Sequence, residues 1–223
     1  MPRAQRATLD AVEGELDRIG LLLQHDAELP SVTALLAGAP IAGSWWGHPL
    51  GNELYALLSE FEQGAGALAL KLVNGKVTYL AERLWPAALA LALVTAGETK
   101  RVAALSDSAK ALRKRVLATG DARGDALAAT GLASAREFTS AAKELELAFL
   151  VHADSVHGAS GAHTKVLKAW PAWAAAHGLG TSGISAAAAR EELGRAVARL
   201  SEGAKRTPKV ALLDGAAAAL RRR

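Results

Sequence analysis

Apolar residues recur along this chain with two different periods. In LDAVEGELDRIGLLLQ (9–24), Leu9, Val12, Leu16, Ile19 and Leu23 follow one another at steps of three and four. That spacing lines one side of an α-helix, so a helix is predicted over the stretch. Pro30 and Ser31 open a short second helix, SVTALLAG, which Gly38 and Pro40 end. Pro49 suits the first turn of a third helix, where its missing N–H is not needed, and Leu54, Leu57, Leu58 and Phe61 form the buried stripe. The period then changes. LALKLVNGKVTYLAERL (68–84) reads as two strands about Asn74-Gly75, a pair favoured in type I′ hairpins because both turn positions take positive φ. Trp85-Pro86 closes this unit and leads into a helix over 86–94. Helix, helix, hairpin is the order of a winged helix-turn-helix.

The second half repeats the plan. SDSAKALRKRVLATG (106–120) starts at a capping Ser106 and is predicted to bury Ala109, Leu112, Val116 and Leu117. A glycine-bearing turn leads to a helix around ASAREFTSAAKEL (133–145). ELAFLVHADSVHGASGAHTKVLKAW (146–170) reads as a second hairpin with a longer tip, although 145–151 also fit as a prolonged helix. Trp170-Pro171-Ala172 lies 85 residues after Trp85-Pro86-Ala87, and with the matching order of elements this predicts a tandem duplication. SAAAAREELGRAVARLSEGA (185–204) is a capped helix with Ala189, Leu193, Val197 and Leu200 inward, broken by Gly203 and Pro208, and VALLDGAAAALRRR reads as a final helix. The expected fold is mainly α with short β-hairpins, as tandem winged helix-turn-helix-like units. The first spans 1–97 with its N-terminal helix, the second 98–178, and 179–223 form a C-terminal helical extension.

Composition narrows the class. At 223 residues, 51% hydrophobic and 22% charged, the chain can bury a core and is not of disordered type. It has no cysteine, which excludes disulfides, thiolate zinc sites and cysteine nucleophiles. The first residues lack the apolar core of a secretory signal, and the most apolar run, WPAALALALV (85–94), is about half a membrane span. A cytoplasmic protein with no membrane partner is expected. The net charge of +4 and pI of 9.5 are unevenly spread. Residues 1–66 carry three basic and nine acidic side chains, 98–123 seven and three, and 185–223 nine and four. This asymmetry predicts a face that attracts polyanions, although solvated helix faces with a basic tail give the same counts.

The candidate chemistry follows from these elements. With 4% aromatic residues, Trp45 and Trp46 stand out before the third helix. Adjacent side chains there point in different directions, so one indole is expected in the core and the other at an edge, open to stack on a base. His48, Asn52, Tyr55 and Ser59 share the face opposite the leucines, which a winged helix offers to the major groove, while Glu53, Glu60 and Glu62 on the same helix repel phosphates. Lys71, Lys76 and Arg83 decorate the first hairpin, where cations meet a phosphate backbone or guard an exposed edge. KALRKRV sets Lys110, Arg113 and Lys114 away from the core as the densest candidate phosphate contact. His152, Asp154, His157 and His163 gather in the second hairpin and are candidates for acid–base catalysis. Their spacing matches no metal signature, so neither a metal nor a cofactor is expected. The chain has no phosphate loop, dinucleotide fingerprint or serine elbow.

The blocks GSWWGHPLGNELYALL, KLVNGKVTYLAERLWPA and LVHADSVHGASGAHTKVLKAW occur in the order in which they recur in a family of uncharacterised bacterial and archaeal proteins, which the chain resembles over roughly residues 30–173. More distantly, it is similar to the winged-helix DNA glycosylases that unhook crosslinks (AlkZ-type). Those use a Gln-x-Gln pair to position a water. The glutamines here are Gln5, Gln24 and Gln63, so the resemblance implies the scaffold without that chemistry. The expected function is a winged-helix DNA-binding protein in DNA repair or transcriptional regulation, holding duplex DNA through basic wing and helix residues. The alternatives are a glycosylase-like nucleic-acid-processing enzyme centred on the 152–163 cluster, and a protein–protein interaction module. Enzymatic activity stays open, as does a protein partner or a homo-oligomer.

Overall fold

The computed structural model describes residues 7–64, 66–131, 133–157, 163–180 and 183–213, without the side chains of 95–97, 157 and 163. The tip of the second hairpin and residues 214–223 of the predicted final helix lie outside the described residues. Among the described residues the protein is mainly helical with two small antiparallel three-stranded sheets. It forms two compact units, one of 1–87 with 190–210 and one of 88–189 with 211–223. Residues 190–210, expected in a C-terminal extension, thus pack with the first unit.

In the first unit, helix α1 (Leu9–Ile19) opens where the Thr8 hydroxyl accepts from the Ala11 N–H, and it buries Val12, Leu16 and Ile19. It ends earlier than the apolar spacing predicts, at Gly20, whose φ of 94° is left-handed. Leu21–Leu23 is instead strand β1. All three leucines are buried, so the run lacks the alternation that would mark a strand from sequence. Helix α2 (Val32–Ala37) is capped by Ser31 and stopped by Gly38. A single 3-10 turn, Trp45–Gly47, precedes helix α3 (Gly51–Gly64), which buries Leu54, Leu58 and Phe61 and leaves Leu57 half-buried. Strands β2 (Leu68–Val73) and β3 (Lys76–Leu80) join through Asn74 and Gly75, with φ of 53° and 71°. Strand β1 lies on the other edge of β3, from Leu21 opposite Leu80 to Leu23 opposite Thr78, giving the order β1-β3-β2. Helix α4 (Trp85–Ala92) follows, and the Trp85 indole donates to the Leu80 carbonyl at 3.1 Å.

The second unit contains helices α5 (Thr95–Ala103), α6 (Asp107–Thr119), α7 (Gly124–Ala129), α8 (Ala135–Leu147) and α9 (Trp170–Ala176). Its strands are β4 (Asp121–Arg123), β5 (His152–His157) and β6 (His163–Lys168), in the order β4-β6-β5. Helix α6 buries Ala109, Leu112 and Val116, whereas Leu117, expected inside, is 50% exposed. Helix α8 opens with a reciprocal cap between Ser134 and Glu137, and residues 145–147 continue it rather than start a strand. The sequence α6, β4, α7, α8, β5, β6 repeats α1, β1, α2, α3, β2, β3, with the first strand on the second strand of the hairpin each time. Gly120, at φ 84°, ends α6 as Gly20 ends α1.

Helix α10 (Ala186–Leu200) buries Ala189, Leu193, Ala196, Val197 and Leu200. In the first unit, Arg199 Nε donates to the Ile19 carbonyl at 2.9 Å. Beyond the helix, Val210 bridges Val73, Asn74 N donates to the Lys209 carbonyl at 2.8 Å, and Lys209 N donates to Asn74 Oδ1 at 3.0 Å.

Close packing of α7 against α8 depends on Gly124. A Cβ there would stand 2.6 Å from Phe138 Cε1 and 3.1 Å from Thr164 Oγ1. Gly124→Ala is therefore expected to destabilise the second unit by about 1–3 kcal/mol, through forced displacement of a buried ring. The denaturant midpoint measures it, and an unchanged midpoint would show that Phe138 moves aside freely.

Candidate nucleic-acid interface

The 3-10 turn separates the two tryptophans as their adjacency implies. Trp45 is buried at 7% exposure and Trp46 is 61% exposed. Their rings stack with centroids 4.2 Å apart, and Tyr55 lies 5.4 Å from Trp46. Gly51 closes the turn by donating to the His48 carbonyl at 2.7 Å, and a Cβ there would be 2.8 Å from the Trp46 carbonyl oxygen. His48 Nδ1 accepts from Leu50 N at 3.3 Å. On α3, Asn52 is exposed, Tyr55 and Ser59 are half-buried, and the Ser59 hydroxyl donates to the Tyr55 carbonyl at 2.9 Å. The helix carries Glu53, Glu60 and Glu62 and no lysine or arginine. Glu62 accepts from the buried Tyr79 hydroxyl at 2.5 Å, and burial together with this carboxylate raises the Tyr79 pKa. Tyr79 therefore stays a donor at neutral pH.

The first hairpin uses its cations differently from one another. Lys76 Nζ lies 2.8 Å from Asp26 Oδ2, and Asp26 is buried. The same carboxylate accepts from Glu28 N at 2.8 Å and Leu29 N at 2.9 Å. Burial opposes its charge, but the bonds from Lys76 and the two amides outweigh it and hold its pKa below the ordinary value. Lys76 is thus a tether rather than an unengaged phosphate ligand. Lys71 is half-buried on β2, and Arg83 is exposed beside Gly20. Lys209, which sequence reasoning did not single out, is exposed at the hairpin tip. Its placement depends on a pairing 135 residues apart that no local pattern records.

In the second unit Arg113 is a correction. It is half-buried and makes a short bond to Glu98, because the unpredicted helix α5 brings that carboxylate to it. Arg101, on the same helix, is buried and donates to the Ala92 carbonyl at 2.6 Å, and burial lowers its pKa. Lys110 is exposed and pairs with Asp107 at 3.4 Å. Lys114 and Arg115 are exposed and have no ionic partner among the described residues. A groove of about 360 Å³ bordered by α6, α7 and α8 has Arg115, Glu137 and Phe138 in its lining.

Helix α8 presents a second polar surface that the sequence patterns did not single out. Its outer side carries Arg136, Thr139, Ser140 and Lys143, all exposed, opposite the buried Phe138, Ala141, Ala142 and Leu145. Its carboxylates are engaged. Glu137 accepts from Ser134 N at 2.9 Å and from the Ser134 hydroxyl at 2.7 Å. Glu144 accepts from Ser106 N and the Ser106 hydroxyl, both at 2.9 Å, and Glu146 accepts from Lys165 Nζ at 2.6 Å.

The histidine cluster does not open to solvent at its first member. His152 is 4% exposed, with Trp170 at 5.8 Å and Trp173 at 5.4 Å between ring centroids. It shares a strand face with Asp154 as expected, with Nδ1 3.4 Å from Asp154 Oδ1, yet Nδ1 makes no hydrogen bond. Asp154 Oδ2 is 2.8 Å from Lys168 Nζ. Burial pushes the His152 pKa down to about 4, with Asp154 pulling the other way and Lys168 and His177 reinforcing the fall. His157 and His163 pair in the strand register, and their side chains lie outside the described residues. His177, which the spacing did not flag, stacks on Trp173 at 4.5 Å. Among the described residues no three His, Asp or Glu side chains form a metal-binding group, and no helix is long and apolar enough to cross a membrane.

No family model, no curated protein and no solved structure matches the chain.

Proposed function

We propose that both units are winged helices and that the protein binds duplex DNA non-covalently, in DNA repair or transcriptional regulation. The carrying observation is the repeated order helix, strand, helix, helix, hairpin, with the first strand on the hairpin's second strand in both sheets. That is the arrangement in which the third helix is presented to a groove and the hairpin to the flanking backbone. Exposed cations without an ionic partner among the described residues support the reading: Arg83 and Lys209 in the first unit, and Lys114 and Arg115 in the second, whereas Lys110 is paired with Asp107. Lys76 and Arg113 leave the set of principal phosphate ligands because carboxylates already neutralise them. Trp46 adds an indole face, a surface on which an unpaired base stacks. An enzyme centred on His152 is less well supported, since that imidazole is buried and neutral at pH 7.

Fluorescence anisotropy with a labelled mixed-sequence duplex tests the proposal. The logarithm of the association constant should fall linearly with the logarithm of salt concentration, with a slope of about −0.9 per phosphate neutralised. A chain that retains no duplex at low salt would disprove it.

A further inference from the structure

The chain beyond helix α10 lies outside the repeated order of elements, yet it is tied to the turn of the first hairpin. Resting on the DNA-binding reading above, we infer that residues 205–209, and not the hairpin that carries them, are the phosphate-binding element of the first unit.

Local chemistry pins this segment. Gly203, at φ 76°, turns the chain after α10. Pro208 and Val210 are buried and Lys209 between them is exposed, the alternation of a strand. Pro208 can be buried there because it has no N–H to leave unpaired. Val210 bridges Val73 antiparallel, Asn74 N donates to the Lys209 carbonyl at 2.8 Å, and Lys209 N donates to Asn74 Oδ1 at 3.0 Å. These bonds use the turn residue Asn74, so they add to the β2–β3 ladder without replacing any part of it. The anchored backbone of 208–210 limits the freedom of Lys205, Arg206 and Thr207 ahead of it, all three exposed.

The charge of the segment is open where that of the hairpin is spent. Lys205, Arg206 and Lys209 have no ionic partner among the described residues, and with Glu202 included residues 201–209 carry three cations and one carboxylate. On the hairpin, Lys76 is held by the buried Asp26 at 2.8 Å, and Lys71 is half-buried. Residues 205 to 209 span up to about 13 Å of chain. A DNA strand presents a phosphate about every 3.4 Å of helix axis, so each cation can meet a phosphate of its own. The exposed side chains of the segment are cationic or hydroxylic, while its apolar residues Pro208 and Val210 face inward. That leaves no apolar centre for a protein interface and favours a repeating polyanion as the partner.

The test uses the full chain and a labelled mixed-sequence duplex, with binding followed over a range of salt concentrations. The triple variant Lys205→Gln, Arg206→Gln, Lys209→Gln alters exposed positions, and a melting curve matching the wild type verifies its fold. It is expected to bind at least about tenfold more weakly at low salt and to reduce the magnitude of the salt slope by about 2–3. Asn74→Gly keeps the positive φ of the turn and removes the side-chain acceptor that holds Lys209. It should weaken binding by about threefold in the wild-type background and have no effect in the triple variant, where the anchored charges are gone. A triple variant with the wild-type slope, or an equal effect of Asn74→Gly in both backgrounds, overturns the inference and leaves DNA binding intact. A wild-type chain that retains polyglutamate but no duplex at low salt overturns the DNA-binding reading itself.

Discussion

Taking the protein from pH 7 to pH 4 lowers the unfolding free energy of the second unit by about 3 kcal/mol through His152 alone. The imidazole is enclosed by Trp170 and Trp173, and its Nδ1 has no hydrogen-bond partner to share a proton. Burial disfavours the cation, Lys168 and His177 add to that, and Asp154 and Glu146 offset only part of it. Its pKa therefore falls from the ordinary 6.5 to about 4 on folding. Between those values the unfolded chain binds the proton and the folded unit does not, so stability is complete above pH 6.5 and drains away as pH falls toward 4. Amide hydrogen exchange in β5 and α9, followed against pH, resolves this unit from the other. His152→Leu has no proton to gain and should flatten the profile across that window. If wild type and variant lose stability in parallel, burial of the imidazole is not the cause.

What local pattern records is burial, and where burial dictates structure the reading succeeds. Asn74-Gly75 carries its own backbone preference and marks the first hairpin, and Ser31, Gly38 and Ser106 sit at helix ends as their chemistry demands. The short strands β1 and β4 were hidden for opposite reasons. Leu21–Leu23 is buried throughout and prolongs an apolar helix stripe, while Asp121–Arg123 has one buried residue and looks like a turn. The division between Trp45 and Trp46 was legible from geometry at a helix entry, although which indole faces solvent was not. The cations resisted reading because their state depends on partners brought by the fold. Asp26 lies 50 residues from Lys76, and Glu98 sits 15 residues before Arg113 on a helix that the periodicity did not reveal. The outer side of α8 was in plain view as Arg136, Thr139, Ser140 and Lys143. Which partners its glutamates meet was not legible, because Ser106 and Lys165 lie 38 and 19 residues away in sequence.

Asp26→Ala is expected to destabilise the first unit by about 2–4 kcal/mol, more than removal of its partner Lys76. The carboxylate accepts from Glu28 N, Leu29 N and Lys76 Nζ, so its loss leaves a buried amide at Leu29 without an acceptor and unties the hairpin from the 26–31 loop. Lys76→Met leaves Asp26 ionised with both amide bonds in place, and the departing ammonium was half-exposed, so its loss is smaller. Asp26→Asn separates the two contributions, because the amide oxygen still accepts from the backbone while the ion pair is gone. Stability should therefore fall in the order Asp26→Ala, then Asp26→Asn, with Lys76→Met close to the latter. Acid provides an independent check. The folded pKa of Asp26 lies below its ordinary 3.8, so its contribution is present above that value and is lost only as pH falls further, after His152 has already titrated. Asp26→Asn should reduce the decline below pH 4 and leave the earlier His152 limb unchanged. An equal loss from Lys76→Met and Asp26→Ala would instead locate the stabilisation in the ion pair and not in the amide bonds.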